Sequence, residues 1–148
     1  MLMKYWIFVI VGKDAPEVFN FLLEKKNWGF WKTKPTRKKI ESLRKGDKVV
    51  FYIGGQKGKY LAGEATLSSD LCKPNRESLN FPERGPLDAL VYFDEINLWD
   101  NKKVYLTDQF IRDKLDFISN KNNWGITFRQ SLVYMSENQY KQIKQLVL

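Results

Sequence analysis

The feature that most constrains the fold is a continuous run of large apolar and β-branched residues near the start of the sequence. Residues Tyr5 to Val11 read Tyr-Trp-Ile-Phe-Val-Ile-Val, without a charged position. A strand with one face in water alternates apolar and polar residues, whereas a strand covered on both faces does not. Gly12-Lys13-Asp14 then ends the run. The pattern predicts a central, buried β-strand around which the other elements pack.

Helical and strand patterns alternate along the rest of the sequence. Asp14 can cap a helix with Pro16 in its first turn, and Thr36 can cap a second, shorter helix. Ser136 and Gln139 form a capping-box pattern before a final helix, and Thr107 can cap a helix that reaches Leu115. Further strands are predicted at 48–53, 59–67, 87–96, 102–106 and within 124–135, where Trp124, Ile126 and Phe128 alternate.

Turn residues connect these segments. A glycine-rich hairpin loop at 54–58 joins two of the strands, and a long polar excursion with three prolines covers 68–86. The mixed order of elements, with several strands that fit antiparallel pairing, predicts an α+β domain. We expect one domain over residues 1–148, built on a strongly curved sheet or small barrel and flanked by short helices.

Composition excludes several kinds of chemistry. The sequence has no histidine, which removes Ser-His and Cys-His nucleophiles and histidine metal ligands. Its single cysteine, Cys72, cannot form an internal disulfide. The carboxylates Glu64, Asp94 and Glu95 are expected on the surface, and neither a metal nor a cofactor is expected. The absence of a long apolar run or a signal-peptide pattern predicts a soluble, cytoplasmic protein without a membrane partner.

The segment Asn27-Trp28-Gly29-Phe30-Trp31-Lys32-Thr33 combines flat aromatic rings with the start of a cationic stretch. Eight of the 25 Lys and Arg residues fall between positions 32 and 48, and the net charge is +8. Aromatic rings offer stacking surfaces for bases, while cations attract phosphates. The pattern favours a nucleic-acid partner, either DNA or RNA. The alternative is that the tryptophans belong to the core and the cations to a solvated helix face.

The succession of these segments resembles the EVE domain of the PUA-like superfamily, which is related in fold to the YTH domain. The resemblance rests on Tyr5-Trp6-Ile7-Phe8, on Trp28-Gly29, and on the run from Leu43 to Tyr52 that contains Lys45-Gly46-Asp47-Lys48. It continues with Gly63-Glu64-Ala65, Phe81-Pro82-x-Arg84 and the segment from Asn120 to Arg129, and spans about position 4 to 148. It implies a twisted β-barrel with a pocket that accepts a modified base.

The resemblance also implies which residues form the site. Either Trp28 or Trp31 is the cage aromatic, with Trp31 favoured because Lys32 and Thr33 add polar partners. The candidate base-pocket residues are Trp28, Trp31, Thr33, Phe81, Arg84, Asn123, Trp124 and Phe128. The candidate phosphate-binding residues are Lys32, Lys34, Arg37, Lys38 and Arg129.

Two other functions remain compatible with the sequence. The related ASCH-type domains include hydrolases of RNA or modified nucleosides, whose chemistry would here depend on side chains such as Lys32, Thr33 and Glu64. In a third interpretation, the aromatics form an interface with a protein partner. The core interpretation is strong for Trp124 and Phe128, and Asn123 is as compatible with a turn as with a base contact.

Overall fold

A computed structural model describes residues 3–30, 36–55, 58–74, 87–100, 102–118 and 124–147, except the side chain of Ile126. Within this part of the chain, the strands are β1 (Tyr5–Val11), β2 (Asn27–Phe30), β3 (Lys48–Gly55), β4 (Gly58–Leu67), β5 (Ala89–Leu98), β6 (Val104–Tyr105) and β7 (Leu132–Met135). The α-helices are α1 (Ala15–Lys25), α2 (Arg37–Glu41), α3 (Gln109–Arg112) and α4 (Glu137–Val147). A 3₁₀ helix covers Trp124–Arg129.

Strand β1 lies inside the sheet, as its composition predicts. It pairs in parallel with β3, from Tyr5 opposite Lys48 to Val11 opposite Gly54. On its other side it pairs antiparallel with β7, with Tyr5 opposite Met135. Six of its seven residues are buried, because both faces and both edges of the strand are covered.

The remaining strands continue the sheet in the order β2-β5-β4-β3-β1-β7, and β6 pairs with the first part of β4. The predicted β3–β4 hairpin is confirmed. The register shifts between Phe51 and Tyr52 in the β3–β4 pair and between Glu64 and Thr66 in the β4–β5 pair. Such irregularities bend a strand and increase its twist. The strands therefore curl into a half-barrel, which confirms the predicted α+β class.

Hydrophobic residues cover both faces of the sheet, because successive side chains of a strand point in opposite directions. Trp6, Phe8 and Ile10 lie in one core layer, which α1 closes with residues such as Phe19 and Leu22. Tyr5, Ile7 and Val9 belong to the other layer, which includes the 3₁₀ helix and α4. None of the described helices is long and apolar enough to cross a membrane.

Several details differ from the sequence-based prediction. The strand expected from Trp124 is wrong over its first part: Trp124–Arg129 is a 3₁₀ helix, and the strand occupies only Leu132–Met135. Helix α3 is shorter than predicted and its cap is Asp108, whose side chain accepts a hydrogen bond from the backbone of Phe110. The capping box before α4 is confirmed, with Ser136 N donating to Gln139 Oε1 at 2.9 Å and Gln139 N donating to Ser136 Oγ at 3.2 Å.

Candidate nucleic-acid interface

Helix α2 presents the cations that the sequence singled out. Arg37 and Lys38 are exposed, while Ile40 on the opposite side is fully buried. A shallow groove of about 460 Å³ runs beside the helix and is lined by Arg37, Lys38, Glu41, Ser42 and Arg44. The helix thus holds the Arg37 guanidinium and the Lys38 ammonium in solvent, while Ile40 packs it against the core.

The turn that follows α2 is fixed by a buried carboxylate. Asp47, only 2% exposed, accepts a hydrogen bond from the indole of Trp6 at 3.0 Å. It also accepts the backbone N–H groups of Lys4 and Arg44, each at 3.1 Å. The Lys4 ammonium in turn donates to the carbonyl of Ser42. These contacts attach the end of the basic helix to β1, and the sequence alone did not reveal them.

Arg129, another candidate phosphate-binding residue, lies next to a residue that α2 contacts. The ammonium of Lys39 in α2 donates to the side-chain oxygen of Gln130. Arg129, the residue before Gln130, ends the 3₁₀ helix and is exposed. Helix α2, which carries Arg37 and Lys38, therefore contacts the residue that follows Arg129. Lys32 and Lys34 lie outside the described residues.

Trp28 occupies the core layer closed by α1. It lies in β2, opposite Val91 of β5, and is 4% exposed. Its ring meets Phe30 edge to face, with 6.4 Å between the ring centroids. This placement fits the interpretation in which Trp28 belongs to the core. Trp31 and the other candidate pocket residues Thr33, Phe81, Arg84 and Asn123 lie outside the described residues.

Phe128 and Trp124 form a stepped aromatic cluster in the other core layer. Phe128 is 5% exposed and stacks on Tyr52, with centroids 3.9 Å apart and rings inclined by 4°. Trp124 is half-buried and meets Phe128 at 6.3 Å in an edge-to-face arrangement. Phe128 is therefore a core residue, as its apolar character predicted, while Trp124 forms the outer edge of the cluster.

Two cations approach the exposed part of this cluster. The Lys59 ammonium and the Arg112 guanidinium each lie 5.3 Å from the centroid of the Trp124 indole, which is within cation–π range. Arg112 also donates to the carbonyl of Leu106, which holds its side chain in place. Sequence reasoning missed both cations. Lys59 lies two residues before the buried Leu61 and so on the same face of β4, which was its local signal, and Arg112 had none.

The acidic residue considered for a hydrolase is part of a buried polar cluster. Glu64 is 6% exposed, so its expected surface position is wrong, whereas Asp94 and Glu95 are exposed as predicted. One oxygen of Glu64 accepts the Tyr140 hydroxyl at 2.6 Å and the other meets the Lys144 ammonium at 2.5 Å. The two bonds attach α4 to β4.

The same cluster changes the acidity of its tyrosine. Burial, followed by the hydrogen bond to Glu64, raises the pKa of the Tyr140 hydroxyl above its usual range. Both oxygens of Glu64 are thus engaged in holding α4 in place. Among the described residues, no group of three or more Cys, Asp and Glu side chains is arranged to hold a metal ion.

Comparisons with known proteins reveal similarity at the level of structure. No protein-family model matches the sequence, and no curated protein does. A hypothetical protein from Leishmania major has 19% sequence identity and a TM-score of 0.67, with 99% of this chain and 95% of that chain covered. Human THYN1, solved in complex with DNA containing 5-methylcytosine, has 12% identity and a TM-score of 0.67, with 97% of each chain covered.

A third solved structure belongs to the YTH group. The YTH domain-containing protein mmi1, in a complex with RNA, has 17% identity and a TM-score of 0.60, with 98% of this chain and 81% of that chain covered. At these identities the likeness is one of fold. The curled mixed sheet, its helices and these neighbours together show that the chain has the PUA-like fold of EVE and YTH domains.

Proposed function

We propose that this protein binds nucleic acid and holds one modified base, extruded from its strand, in an aromatic pocket beside the basic helix α2. The observation that carries the proposal is the position of the candidate phosphate residues. Arg37 and Lys38 on α2 and Arg129, which precedes the α2-contacting residue Gln130, are all exposed. One structure of the same fold contains DNA with 5-methylcytosine and another contains RNA, which supports the same class of partner.

The cations would hold the backbone without reading its sequence. Each Lys or Arg that neutralises a phosphate releases condensed counterions, so affinity depends steeply on salt concentration. The anchor at Asp47 contributes here because it fixes the backbone that carries the cations. Less conformational freedom is then lost when a strand binds.

The base pocket is assigned to Trp31, with Thr33, Phe81, Arg84 and Asn123 as its further candidates. Trp28 lies in the core, three residues before Trp31 in the sequence. Trp124, flanked by Lys59 and Arg112, lies in the other core layer, where an aromatic ring and cations occur together.

Selectivity for the modification sets a quantitative requirement. Burial of one added methyl group contributes about 0.8 kcal/mol, which corresponds to roughly a four-fold preference. A larger preference requires a hydrogen bond that the unmodified base cannot make. The ratio of the affinities for the methylated and unmodified oligomers therefore distinguishes a pocket that only buries the methyl group from one that hydrogen-bonds to the modified base.

The test is a binding titration by fluorescence anisotropy with labelled single-stranded DNA and RNA oligomers at two salt concentrations. Each oligomer carries one cytosine or adenine that is either unmodified or methylated. We expect Trp31→Leu to abolish the preference for the methylated oligomer. The double substitution of Arg37 and Lys38 by Ala should weaken all oligomers and lower the logarithmic salt slope by roughly 1.5.

Lys141→Ala is the matched control for charge. Lys141 is an exposed cation on α4, where it pairs with Glu137 at 3.5 Å, and its removal should leave binding unchanged. A wild-type protein that binds no oligomer at low salt would refute the proposal. Equal binding to methylated and unmodified oligomers would refute the base-reading part and leave a basic surface.

A further inference from the structure

A second aromatic and cationic surface lies on the ribbon formed by β4 and β6. Tyr60 and Tyr105 are directly opposed across the two strands. Their ring centroids are 5.6 Å apart and the rings are inclined by 50°. The ammonium of Lys103, which precedes β6, lies 4.9 Å from the Tyr60 ring. We refer to Tyr60, Tyr105 and Lys103 as the tyrosine platform.

The platform is separate from the Trp124 cluster because the two lie on opposite faces of the sheet. Neighbours in a strand point to opposite sides. Lys59 reaches the Trp124 ring and Leu61 belongs to the same core layer as Phe128. Tyr60, between them, packs against the other layer. The platform therefore cannot be a wall of the Trp124 cluster.

Exposure and charge distinguish the platform from ordinary core packing. Tyr105 is 45% exposed, whereas the next residue, Leu106, is fully buried. Lys102 is exposed but lines a groove with Asp100 and with Lys144 of α4. Within the described part of the chain, Lys103 does not lie within ion-pair distance of a carboxylate. The surface thus presents an exposed ring beside a cation that has no ion-pair partner among the described residues.

We propose that the tyrosine platform is a second contact surface for a single strand of nucleic acid, at which a base stacks on Tyr105 and an adjacent phosphate meets Lys103. Stacking on aromatic rings beside a cationic groove is the usual way in which proteins hold single strands without reading sequence. The positive charge selects a polyanion over a neutral or basic protein surface. The proposal rests on the proposed function for its class of partner, and adds a site on the other face of the sheet.

The test compares variants of Tyr105 with unmodified homopolymer strands of 12 nucleotides, one of RNA and one of DNA. We expect Tyr105→Leu, which removes the ring, to weaken binding roughly 5- to 20-fold. Tyr105→Phe keeps the ring and should stay within about two-fold of the wild type. The ratio between the RNA and DNA strands then shows which polymer the platform prefers.

The cation is tested in the same assay. Lys103→Ala should weaken binding and lower the logarithmic salt slope by roughly 0.7, the value for one phosphate contact on a single strand. Lys141→Ala, on α4, should change neither quantity. Circular dichroism of each variant checks that the partly exposed position tolerates the substitution.

The outcomes separate this proposal from the previous one. If the wild type binds the strands and Tyr105→Leu binds equally well, the platform is refuted and the proposed function stands. If Tyr105→Leu loses the preference for a methylated base, Tyr105 belongs to the base pocket and a separate second surface is refuted. If the wild type binds no strand, the proposed function fails, and the platform fails with it.

Discussion

Replacement of Asp47 by Ala tests whether its buried carboxylate, in the turn after α2, stabilises the fold. The substitution removes the acceptor for three N–H groups: the indole of Trp6 and the backbones of Lys4 and Arg44. The indole is buried, because Trp6 is 2% exposed, so its donor would have no replacement partner. A buried donor without an acceptor costs about 1–3 kcal/mol. The two backbone groups are nearer to solvent and add about 0.5–1 kcal/mol each.

We therefore expect Asp47→Ala to lower the free energy of unfolding by about 3 kcal/mol. Urea denaturation followed by circular dichroism measures this change, provided that the slope with denaturant stays constant. Asp70→Ala is the matched control, because the Asp70 carboxylate also accepts a backbone N–H, from Lys45 at 2.8 Å, but is exposed. Its loss should cost about 0.5 kcal/mol.

A double-mutant cycle isolates the indole contact. In a Trp6→Phe background, Asp47→Ala should cost about 1–2 kcal/mol less than in the wild type, since no indole donor remains to be stranded. If Asp47→Ala costs no more than Asp70→Ala, the carboxylate is not the anchor that its burial indicates. The absence of coupling to Trp6 would refute the hydrogen-bond argument specifically.

Three further perturbations test other parts of the structure. Gly63→Ala should destabilise the fold by about 2 kcal/mol, because an added Cβ would lie 2.7 Å from a backbone oxygen of β5; Gly125→Ala, in open space, is its control in urea denaturation. Burial raises the pKa of Tyr52 to about 12, so its contribution to stability is present below the unfolded pKa near 10 and is lost as pH rises from 10 to about 12. The free energy of unfolding across that range should fall by about 2 kcal/mol more in the wild type than in Tyr52→Phe, and parallel curves would contradict this. Glu64→Gln should lower the free energy of unfolding, measured by thermal or urea denaturation, by about 2 kcal/mol, because the Lys144 ammonium would face an uncharged amide. An unchanged free energy of unfolding would show that the ion pair only offsets its own desolvation.

Local sequence patterns predicted the strands because their signals are contained in short windows. The apolar run of β1 and the glycine-rich loop between β3 and β4 needed no knowledge of distant residues. The parallel pairing of β1 with β3 could not be read in this way. Register depends on which strand lies beside which, and a local pattern carries no such information.

The 3₁₀ helix at Trp124–Arg129 shows how a short alternation misleads. Apolar residues at Trp124, Ile126 and Phe128 satisfy a strand period over only five positions. The segment instead takes the conformation in which Phe128 stacks on Tyr52. Tertiary packing of one large ring outweighs so brief a periodic signal.

In the candidate site, too, local patterns predicted some residues, whereas others depend on contacts with distant parts of the sequence. The exposure of Arg37 and Lys38 followed from their place on an amphipathic helix beside Ile40 and Leu43. Asp47, in the turn after α2, is buried against Trp6 of β1, so no local pattern predicted its burial. The pairing of Tyr105 with Tyr60 across β6 and β4 likewise could not be predicted from the residues around either tyrosine.

The two neighbours of β1 have a consequence for how the chain acquires its structure during synthesis. Although β1 is made first, it is flanked by β3 and by β7, the last strand of the described residues to leave the ribosome. Until β7 arrives, one edge of an apolar strand has unpaired backbone groups, which is the arrangement that recruits strands from other chains. Between the synthesis of β1 and that of β7, the nascent protein thus has an apolar strand with an unpaired edge, and we expect its yield in cells to depend on chaperones that cover this edge.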